Sequence, residues 1–444
     1  MASTFLHAEE KMSYQEIVEL QLNKLKKQVE RCYSIPFYRE KFDQVGLKPS
    51  HIKTLSDITK IPFISKEDLR HFYPNGLLAV EFENVCHYHL TSGTTGTPVS
   101  IGYTSSDWER SAQLMARTFN CQGLRRGELL YQGFGYGLWA GGPIAEAGAK
   151  ALGARVLPVG GGRTDAAVLW IRDFGVSALT VTPSFMIYLI ETAKKSGIDP
   201  KKDWQSLKIG VHGGECWSLG LRKRIENEMP QGFRAFNIYG STESGGPVVS
   251  TNCPEALEDS YMHVWADSYL IEIVDPNSGE PRDFGQEGEI VLTTLDREAT
   301  PLLRFRTRDL SSLKEDPYDC ACGRIGHPLL KHITGRVDDV LKVRGTMVVP
   351  SRVEHIITSI DGIGKAWQFV VDREEGKLDT FTIQMEVADE IWYNPSNRET
   401  FAVSVASKVT GEIGLRVNVE IMESESLPRF EGKSKRVIDK RDHL

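Results

Sequence analysis

A stretch of small hydroxyl residues and glycines, HLTSGTTGTP, runs from His89 to Pro98. Glycine lets backbone N–H groups approach an oxyanion, and hydroxyls add hydrogen-bond donors with little bulk. This composition is typical of a loop wrapped around phosphate. The GxxxxGKS/T phosphate-binding loop is excluded, because Thr97 and Pro98 follow the last glycine where Lys and Ser/Thr would stand. Since Gly/Thr/Ser clusters also form plain turns, the stretch alone does not decide between the two interpretations.

Three further polar turns, Thr182 to Ser184, His212 to Glu215 and Tyr239 to Glu243, each follow a short β-rich run. Between about residues 129 and 240, β-rich runs alternate with helix-like stretches such as DAAVLWIRDF and LGLRKRIENEM. This alternation predicts a parallel sheet covered by helices. Ligands of such sheets bind beyond the carboxyl ends of the strands. Three polar turns at equivalent positions therefore indicate a binding site.

The elements around this sheet complete the predicted fold. Ser13 and Glu16 form a capping box before an amphipathic helix whose apolar face is Val18, Leu22, Leu25, Val29 and Cys32. After Glu243 the pattern changes to antiparallel strands, and from about residue 339 to a compact α+β unit. We therefore expect an α/β fold with two domains. Residues 1–335 form a large N-terminal domain with parallel sheet covered by helices plus a β subdomain, and residues 336–444 form a small, mobile α+β domain.

Composition excludes several classes of protein. The chain has 444 residues, too many for one compact core, and a net charge of -7 without a basic stripe, which argues against nucleic acid as a partner. Seven scattered cysteines indicate a reduced, cytoplasmic protein. There is no leader-like apolar segment and no apolar run long enough to span a membrane, so no membrane association is expected. The oligomeric state stays open, a homodimer included.

Five motifs occur in one order along the chain, namely LTSGTTGTP, YGSTE, RFRTRD, TGRVDDVLKVRG and LPRFEGKSKRVIDKR. Their order and spacing resemble the adenylate-forming acyl-CoA synthetase superfamily. The stretches YGYGLWAGG, GGGRT and VTPSFM resemble phenylacetate-CoA ligases more closely. The resemblance covers nearly the whole chain. It implies that a carboxylate attacks the α-phosphate of ATP, that pyrophosphate leaves, and that the thiol of coenzyme A then displaces AMP.

The resemblance also assigns roles in ATP binding. Thr242 would donate to the α-phosphate, and Glu243 would bind Mg²⁺, since a hard cation prefers oxygen ligands. Asp309 would accept the ribose hydroxyls, and Tyr239 would stack on adenine. Many superfamily members carry a lysine just after the phosphate loop, where this chain has Val99, so the loop itself supplies little positive charge. The expected nucleotide-binding residues are Ser92, Gly93, Thr94, Thr95, Gly96, Gly214, Glu215, Asn237, Tyr239, Gly240, Ser241, Thr242, Asp309 and Arg336.

Two residues of the small domain are implied to act in or through its movement. Lys433 would enter the site for adenylation, because a point charge on a flexible stem suits the negative charge that develops at the α-phosphate. Lys435 is the alternative. Asp338 matches the hinge about which the small domain rotates, and this rotation would withdraw Lys433 and admit coenzyme A. Taken singly, such residues are more often solvated charges or parts of ordinary salt bridges.

The acid-binding residues implied by the resemblance are Tyr136, Gly137, His212 and Gly213. Phenylacetate-CoA ligases commonly have a phenylalanine where this chain has His212. One interpretation is that His212 pairs with a polar group on the substrate ring, which favours a polar-substituted benzoate or an aromatic dicarboxylate over phenylacetate. The other is that a neighbouring backbone carbonyl satisfies the histidine.

Four further residues are candidate zinc ligands. Cys253 and His263 precede a Cys-x-Cys pair, Cys320 and Cys322. Relatives of this family carry such a cluster, and three thiolates with one imidazole would close a structural Zn²⁺ site. The alternative is a set of surface thiols beside an ordinary loop histidine.

The leading interpretation is thus an AMP-forming aryl-carboxylate:CoA ligase that uses ATP, Mg²⁺ and coenzyme A. A phenylacetate-CoA ligase proper, an adenylating enzyme with another acceptor and a nucleotide-binding protein without catalysis are the alternatives. The last is disfavoured because Glu243, Asp309 and Lys433 are all present.

Overall fold

A computed structural model of the chain describes residues 5–91, 97–339, 341–344, 346–373, 378–429 and 436–441. The helices in these ranges are α1 (Tyr14–Tyr33), α2 (Pro36–Gln44), α3 (Lys66–His71), α4 (Ser105–Gln122), α5 (Gly141–Leu152), α6 (Thr164–Asp173), α7 (Pro183–Lys195), α8 (Pro200–Asp203), α9 (Leu219–Asn227), α10 (Pro350–Thr358), α11 (Asp389–Trp392) and α12 (Pro395–Ile413). The strands in these ranges are β1 (His87–Leu90), β2 (Ser100–Tyr103), β3 (Leu129–Gln132), β4 (Arg155–Pro158), β5 (Ala178–Val181), β6 (Ile209–His212), β7 (Arg234–Ser241), β8 (Gly246–Thr251), β9 (Tyr261–Val264), β10 (Tyr269–Val274), β11 (Gly288–Thr294), β12 (Phe305–Ser311), β13 (Leu329–Lys331), β14 (Gly335–Arg336), β15 (Leu341–Val343), β16 (Thr346–Val348), β17 (Ile363–Asp372), β18 (Thr380–Val387), β19 (Asn418–Met422) and β20 (Val437–Asp439).

The main sheet has eight strands in the order β13-β9-β8-β7-β6-β5-β3-β4. The five strands from β7 to β4 are parallel, as the alternating pattern predicts. Strands β3, β5 and β6 are buried along their whole length, because helices cover both faces. Leu130 and Tyr131 illustrate this arrangement, since these neighbours on β3 belong to separate hydrophobic clusters. The sequence did not predict the antiparallel extension through β8, β9 and β13.

A second sheet, β10-β11-β12-β14, is antiparallel, as expected for the region after Glu243. Strand β12 carries Asp309, which pairs in register with Arg336 of β14. The domain boundary expected at residues 335/336 therefore lies within β14. The hairpin of β15 and β16 follows.

The remainder of the chain is the expected α+β unit. Its sheet has the order β19-β18-β17-β20, with an antiparallel central pair and parallel outer strands, and α10 and α12 pack against it. We call the described residues from 341 onward the C-terminal unit, and those up to 339 the large unit.

Helix α1 begins as predicted, with Ser13 and Glu16 in a reciprocal capping box. Its buried face is shifted from the predicted one. Gln21 and Gln28 are buried because their amides donate to the backbone carbonyls of Ala266 and Arg297 at 2.9 and 2.8 Å. The expected Val18 and Leu22 are only half-buried. Across the described residues, no helix is both long and apolar enough to cross a bilayer.

Candidate active site

The polar turns predicted from the sequence meet at one edge of the main sheet. Val181 of β5 pairs with His212 of β6, and His212 pairs with Asn237 of β7, so these parallel strands are in register where they approach the turns. The turns at residues 182–184, 213–215 and 239–243 consequently lie side by side. This edge is the carboxyl end of the parallel strands, where ligands of such sheets bind.

Two glycines allow these turns to pack closely. A Cβ atom on Gly213 would lie 2.8 Å from Cγ1 of Ile238, and one on Gly240 would lie 2.1 Å from the carbonyl oxygen of Gly246. Side chains at either position would push the neighbouring strands apart. The glycines therefore keep the backbone of both turns at the sheet edge.

Tyr239, Asp309 and Arg336 form one hydrogen-bonded group. The Tyr239 hydroxyl donates to Oδ2 of Asp309 at 2.8 Å, and the Arg336 guanidinium donates to Oδ1 at 2.7 Å. Burial, followed by the charge of Asp309, raises the pKa of Tyr239 well above its usual value. Arg336 also donates to both carboxylate oxygens of Asp338 at 3.1 Å. The expected hinge residue is thus joined to the expected ribose ligand through one arginine.

The YGSTE motif ends β7 and forms the turn into β8. Thr242 and Glu243 are 4% and 5% exposed, and the hydroxyl of Ser244 accepts from the backbone N–H of Ser241 at 2.9 Å. Oε1 of Glu243 lies 2.9 Å from Nζ of Lys66. Burial would raise the pKa of Glu243, but the charge and hydrogen bond of Lys66, together with hydrogen bonds from the turn, hold the pKa below its usual value. Sequence reasoning did not single out Lys66.

The phosphate-loop residues Ser92 to Gly96 lie outside the described residues, as do Lys433 and Lys435. The ends of the loop are joined by two hydrogen bonds. The N–H of Thr91 donates to the Val99 carbonyl at 3.0 Å, and the N–H of Val99 donates to Oγ1 of Thr91 at 2.9 Å. Val99 is fully buried, and its side chain belongs to the large hydrophobic cluster of the protein.

Glu215 is held by Ser184, which also contacts the C-terminal unit. Its Oε2 accepts from the hydroxyl of Ser184 at 2.7 Å and from the backbone N–H of Ser184 at 3.2 Å. Arg436 of the C-terminal unit donates to the same Ser184 hydroxyl at 3.0 Å and lies over the Trp367 ring. A cavity of about 310 Å³ adjoins this group and is lined by Cys216, Leu310, Ile333 and Glu354, among others.

Other contacts also join the C-terminal unit to the large unit. Arg429 lies 3.3 Å from Glu191 of the large unit while binding Glu386 of its own unit at 2.8 Å. The hydroxyls of Ser218 and Thr358 lie 2.6 Å apart. Together with Arg436, these residues fix one relative orientation of the two units.

The expected acid-binding residues follow β3 and β6. Tyr136 is 39% exposed, and its hydroxyl donates to Oε2 of Glu146 at 2.6 Å. Gly137 beside it is exposed. Phe134 and Trp139 pack edge to face with their ring centroids 5.2 Å apart. The loop after β3 is therefore aromatic, and Glu146 is a polar partner that the sequence did not indicate.

His212 is fully buried, and its Nδ1 lies 3.1 Å from the Val181 carbonyl oxygen. Burial lowers the pKa of His212 to about 4, so the ring is neutral and Nδ1–H donates to that carbonyl. Nε2 is then an acceptor that lies over Gly210, beside Phe233. The Trp217 ring packs against the imidazole of His212 with the ring centroids 5.1 Å apart. This geometry agrees with the interpretation in which a backbone carbonyl satisfies the histidine.

The four candidate zinc ligands come together in space. Their ligand atoms, Sγ of Cys253, Cys320 and Cys322 and Nε2 of His263, all lie within 4.8 Å of one another. A tetrahedral Zn²⁺ with Zn–S bonds of about 2.3 Å would place its ligand atoms about 3.8 Å apart. Nδ1 of His263 donates to the His327 carbonyl at 3.0 Å, which directs Nε2 toward the thiols.

Comparison with known proteins agrees with this arrangement. Residues 41–294 match the AMP-binding enzyme family, and residues 345–441 match the AMP-binding enzyme C-terminal domain. The chain is 38% identical to a phenylacetate-coenzyme A ligase of Aromatoleum evansii, covering 97% of this chain and 96% of that one. It is 36% identical to the enzyme of the same name from Escherichia coli K12, covering 100% and 99%.

A solved structure of 2-hydroxyisobutyryl-CoA ligase in the postadenylation state superposes with a TM-score of 0.90 at 27% identity, covering 99% of this chain and 93% of that one. The same ligase in the thioesterification state gives a TM-score of 0.71 at 28% identity, covering 98% and 92%. The chain therefore belongs to the AMP-binding, adenylate-forming enzyme family, in the group of the acyl-CoA ligases.

Proposed function

We propose that this protein is an AMP-forming aryl-carboxylate:CoA ligase. A carboxylate oxygen of the acid attacks the α-phosphorus of ATP, forming an acyl-adenylate and releasing pyrophosphate. The thiolate of coenzyme A then attacks the acyl carbonyl carbon and AMP leaves. The observation that carries the proposal is the meeting of Glu215, Tyr239, Glu243 and Asp309 at one sheet edge, with the C-terminal unit docked beside them.

The chemistry of each group suits a part of ATP. Asp309 is a buried carboxylate held between Tyr239 and Arg336, which suits acceptance of ribose hydroxyls. Gly214 and Glu215 would line the base. Glu243 would hold Mg²⁺, whose charge supports departure of pyrophosphate. The loop of residues 92–96 would bind the β- and γ-phosphates through amides and hydroxyls.

We further propose that the C-terminal unit rotates about Asp338 between the half-reactions. The higher TM-score against the postadenylation state of the hydroxyisobutyryl ligase supports an adenylating orientation for this structure. The contacts of Arg429, Arg436 and Thr358 with the large unit would break on rotation. We also propose that the boundary between the two domains lies near residues 335/336, and that the protein works in a reduced, cytoplasmic setting.

A structural Zn²⁺ at Cys253, His263, Cys320 and Cys322 is also proposed. The support is the donor set itself, three thiols and one oriented imidazole with compatible spacing. Four protein ligands fill a tetrahedral site, so this ion would stabilise the fold and take no part in the reaction.

Two assays test the ligase proposal. Acid-dependent exchange of radiolabelled pyrophosphate into ATP reports adenylation, and thioester formation on adding coenzyme A reports the second half-reaction. We expect both activities with an aromatic acid. Exchange without thioester would favour a different acceptor, and no exchange with any acid in a broad panel would reject the enzyme assignment.

The identity of the acid is a separate proposal. The case for a polar-substituted benzoate or an aromatic dicarboxylate rested on a donor at His212, and that donor is used by the Val181 carbonyl. The full-length similarity to phenylacetate-coenzyme A ligases instead supports phenylacetate or a close arylacetate. A hydroxyl- or amino-substituted benzoate is the second candidate, because Nε2 of His212 has no hydrogen-bond partner among the described residues.

His212→Phe tests these candidates. We expect phenylacetate to have the highest kcat/KM in a panel of benzoates, arylacetates and aromatic dicarboxylates. The variant should change relative selectivity by less than about threefold, since the hydrogen bond that it loses runs to the Val181 carbonyl and not to the acid. AMP release with coenzyme A measures both. A substituted benzoate that is best for the wild type, and loses its advantage in His212→Phe, would reverse the assignment.

A further inference from the structure

The proposed ATP site has little positive charge to balance the triphosphate. The triphosphate is strongly negative, and Glu243 adds a carboxylate to the same region. A lysine directly after the phosphate loop would offset this charge, but Val99 stands there and is fully buried. Apart from Mg²⁺, a cation at the β- and γ-phosphates would therefore have to come from another part of the chain.

Lys66 has the required position. Its Nζ lies 2.9 Å from Oε1 of Glu243, the side chain of which is 6% exposed, whereas the Lys66 side chain is 33% exposed. The ammonium group is thus in contact with the buried carboxylate, while the Lys66 side chain stays partly open to solvent. An ion pair at this distance is strong where one partner is shielded from water.

The segment before Lys66 is attached to the strand that carries Asp309. The N–H of Ile64 donates to the Arg304 carbonyl at 3.1 Å, and the N–H of Arg306 donates to the Ile64 carbonyl at 2.9 Å. Ser65 and Asp68 then cap α3 reciprocally. Lys66 is therefore the first residue of α3, and its backbone is held in place by the hydrogen bonds to the β12 segment.

We propose that Lys66 is a phosphate-binding residue that contacts the β- and γ-phosphates of ATP, in place of the lysine that the phosphate loop lacks. Glu243 holds its ammonium group at the site until the nucleotide arrives with Mg²⁺. With Mg²⁺ present, Glu243 would serve as a ligand of the metal, and the Lys66 ammonium would contact the phosphates. This inference rests on the proposed function, because it requires ATP as the substrate.

The experiment compares ligands with and without the outer phosphates. Binding of MgATP, magnesium pyrophosphate and AMP is measured by calorimetry on the full-length protein as wild type, Lys66→Met, Lys66→Gln and Lys66→Arg. A charge-assisted hydrogen bond accounts for roughly 10- to 100-fold in affinity. We expect Lys66→Met and Lys66→Gln to weaken MgATP and pyrophosphate by about 10- to 100-fold and AMP by less than about twofold. Lys66→Arg, which keeps the charge, should recover most of the loss.

Lys60→Met is the matched control. Lys60 pairs with Asp57 in the same N-terminal segment and its side chain is 56% exposed, so its removal should leave binding of all three ligands unchanged. If Lys66→Met does not fold, the binding measurements on Lys66→Gln decide the question.

A purely structural ion pair predicts a different result. Loss of Lys66 would then free Glu243 for Mg²⁺, and MgATP would bind as tightly as in the wild type or more tightly. That result, or an equal loss for AMP and ATP, would overturn the proposal. Thioester formation by the wild type tests the ligase function independently, so failure of one inference is distinguishable from failure of the other.

Discussion

Lys433→Ala is expected to slow acyl-adenylate formation by about 100-fold or more, as removal of other transition-state donors does. The reason is loss of a positive charge at the α-phosphate, where negative charge builds as the acid attacks. Lys433 lies outside the described residues, but Arg429 and Arg436 on either side both contact the large unit. These contacts support an adenylating orientation of the C-terminal unit.

The second half-reaction provides the test. Conversion of chemically supplied acyl-adenylate to thioester should change by less than about threefold in Lys433→Ala, since the proposed rotation removes this lysine before the thiol attacks. Single-turnover measurements separate the two steps. Lys435→Ala is the control and should retain adenylation. Equal losses in both half-reactions, or a larger loss in Lys435→Ala, would show that the role has been given to the wrong residue.

Cys322→Ser is expected to lower both zinc content and thermal stability. Wild-type protein should carry about one Zn²⁺ per chain, and the variant should lose most of it because one of four ligands is removed. Metal ligation contributes directly to folding free energy. We expect the unfolding midpoint to fall by about 5 °C or more, since a loss of a few kcal/mol shifts the midpoint of a large domain by several degrees.

Elemental analysis and calorimetric unfolding of protein prepared without chelator measure these effects. Cys86→Ser is the control, because Cys86 is exposed and lies outside the cluster, so metal content and midpoint should not change. Wild-type protein that contains no zinc when prepared in this way would disprove the site.

The parallel core was predictable because its strands are short, apolar and followed by polar turns. Strand β8 was not, although its six residues are all buried. The sequence of β8, GPVVST, has no regular alternation of polar and apolar residues that reveals its direction or partner, and the strand is positioned by its pairing with β7. In α1 the helix was predictable, but the burial of Gln21 and Gln28 depends on carbonyl acceptors distant in sequence.

At the site, too, local motifs were predictable and contacts between distant parts of the chain were not. Asp309 and Tyr239 were each predicted from a local motif, but their mutual hydrogen bond joins two different sheets and has no local signal. Lys66 and Glu146 were missed for the same reason, since each acts through a partner outside its own motif. For His212 the residue type indicated a buried polar group, and only the fold selected Val181 as its acceptor.

The contacts of Arg429, Arg436 and Thr358 across the two units have a consequence for evolution and engineering. Under the proposed rotation they break and reform in every catalytic cycle. Each 1.4 kcal/mol of added stability in the adenylating orientation would slow the rotation out of it by about tenfold. A typical hydrogen bond contributes about 1 kcal/mol. Selection for turnover therefore opposes a stronger interface. Substitutions that raise thermal stability should be sought within each unit. A substitution that strengthens the interface between the units would slow turnover.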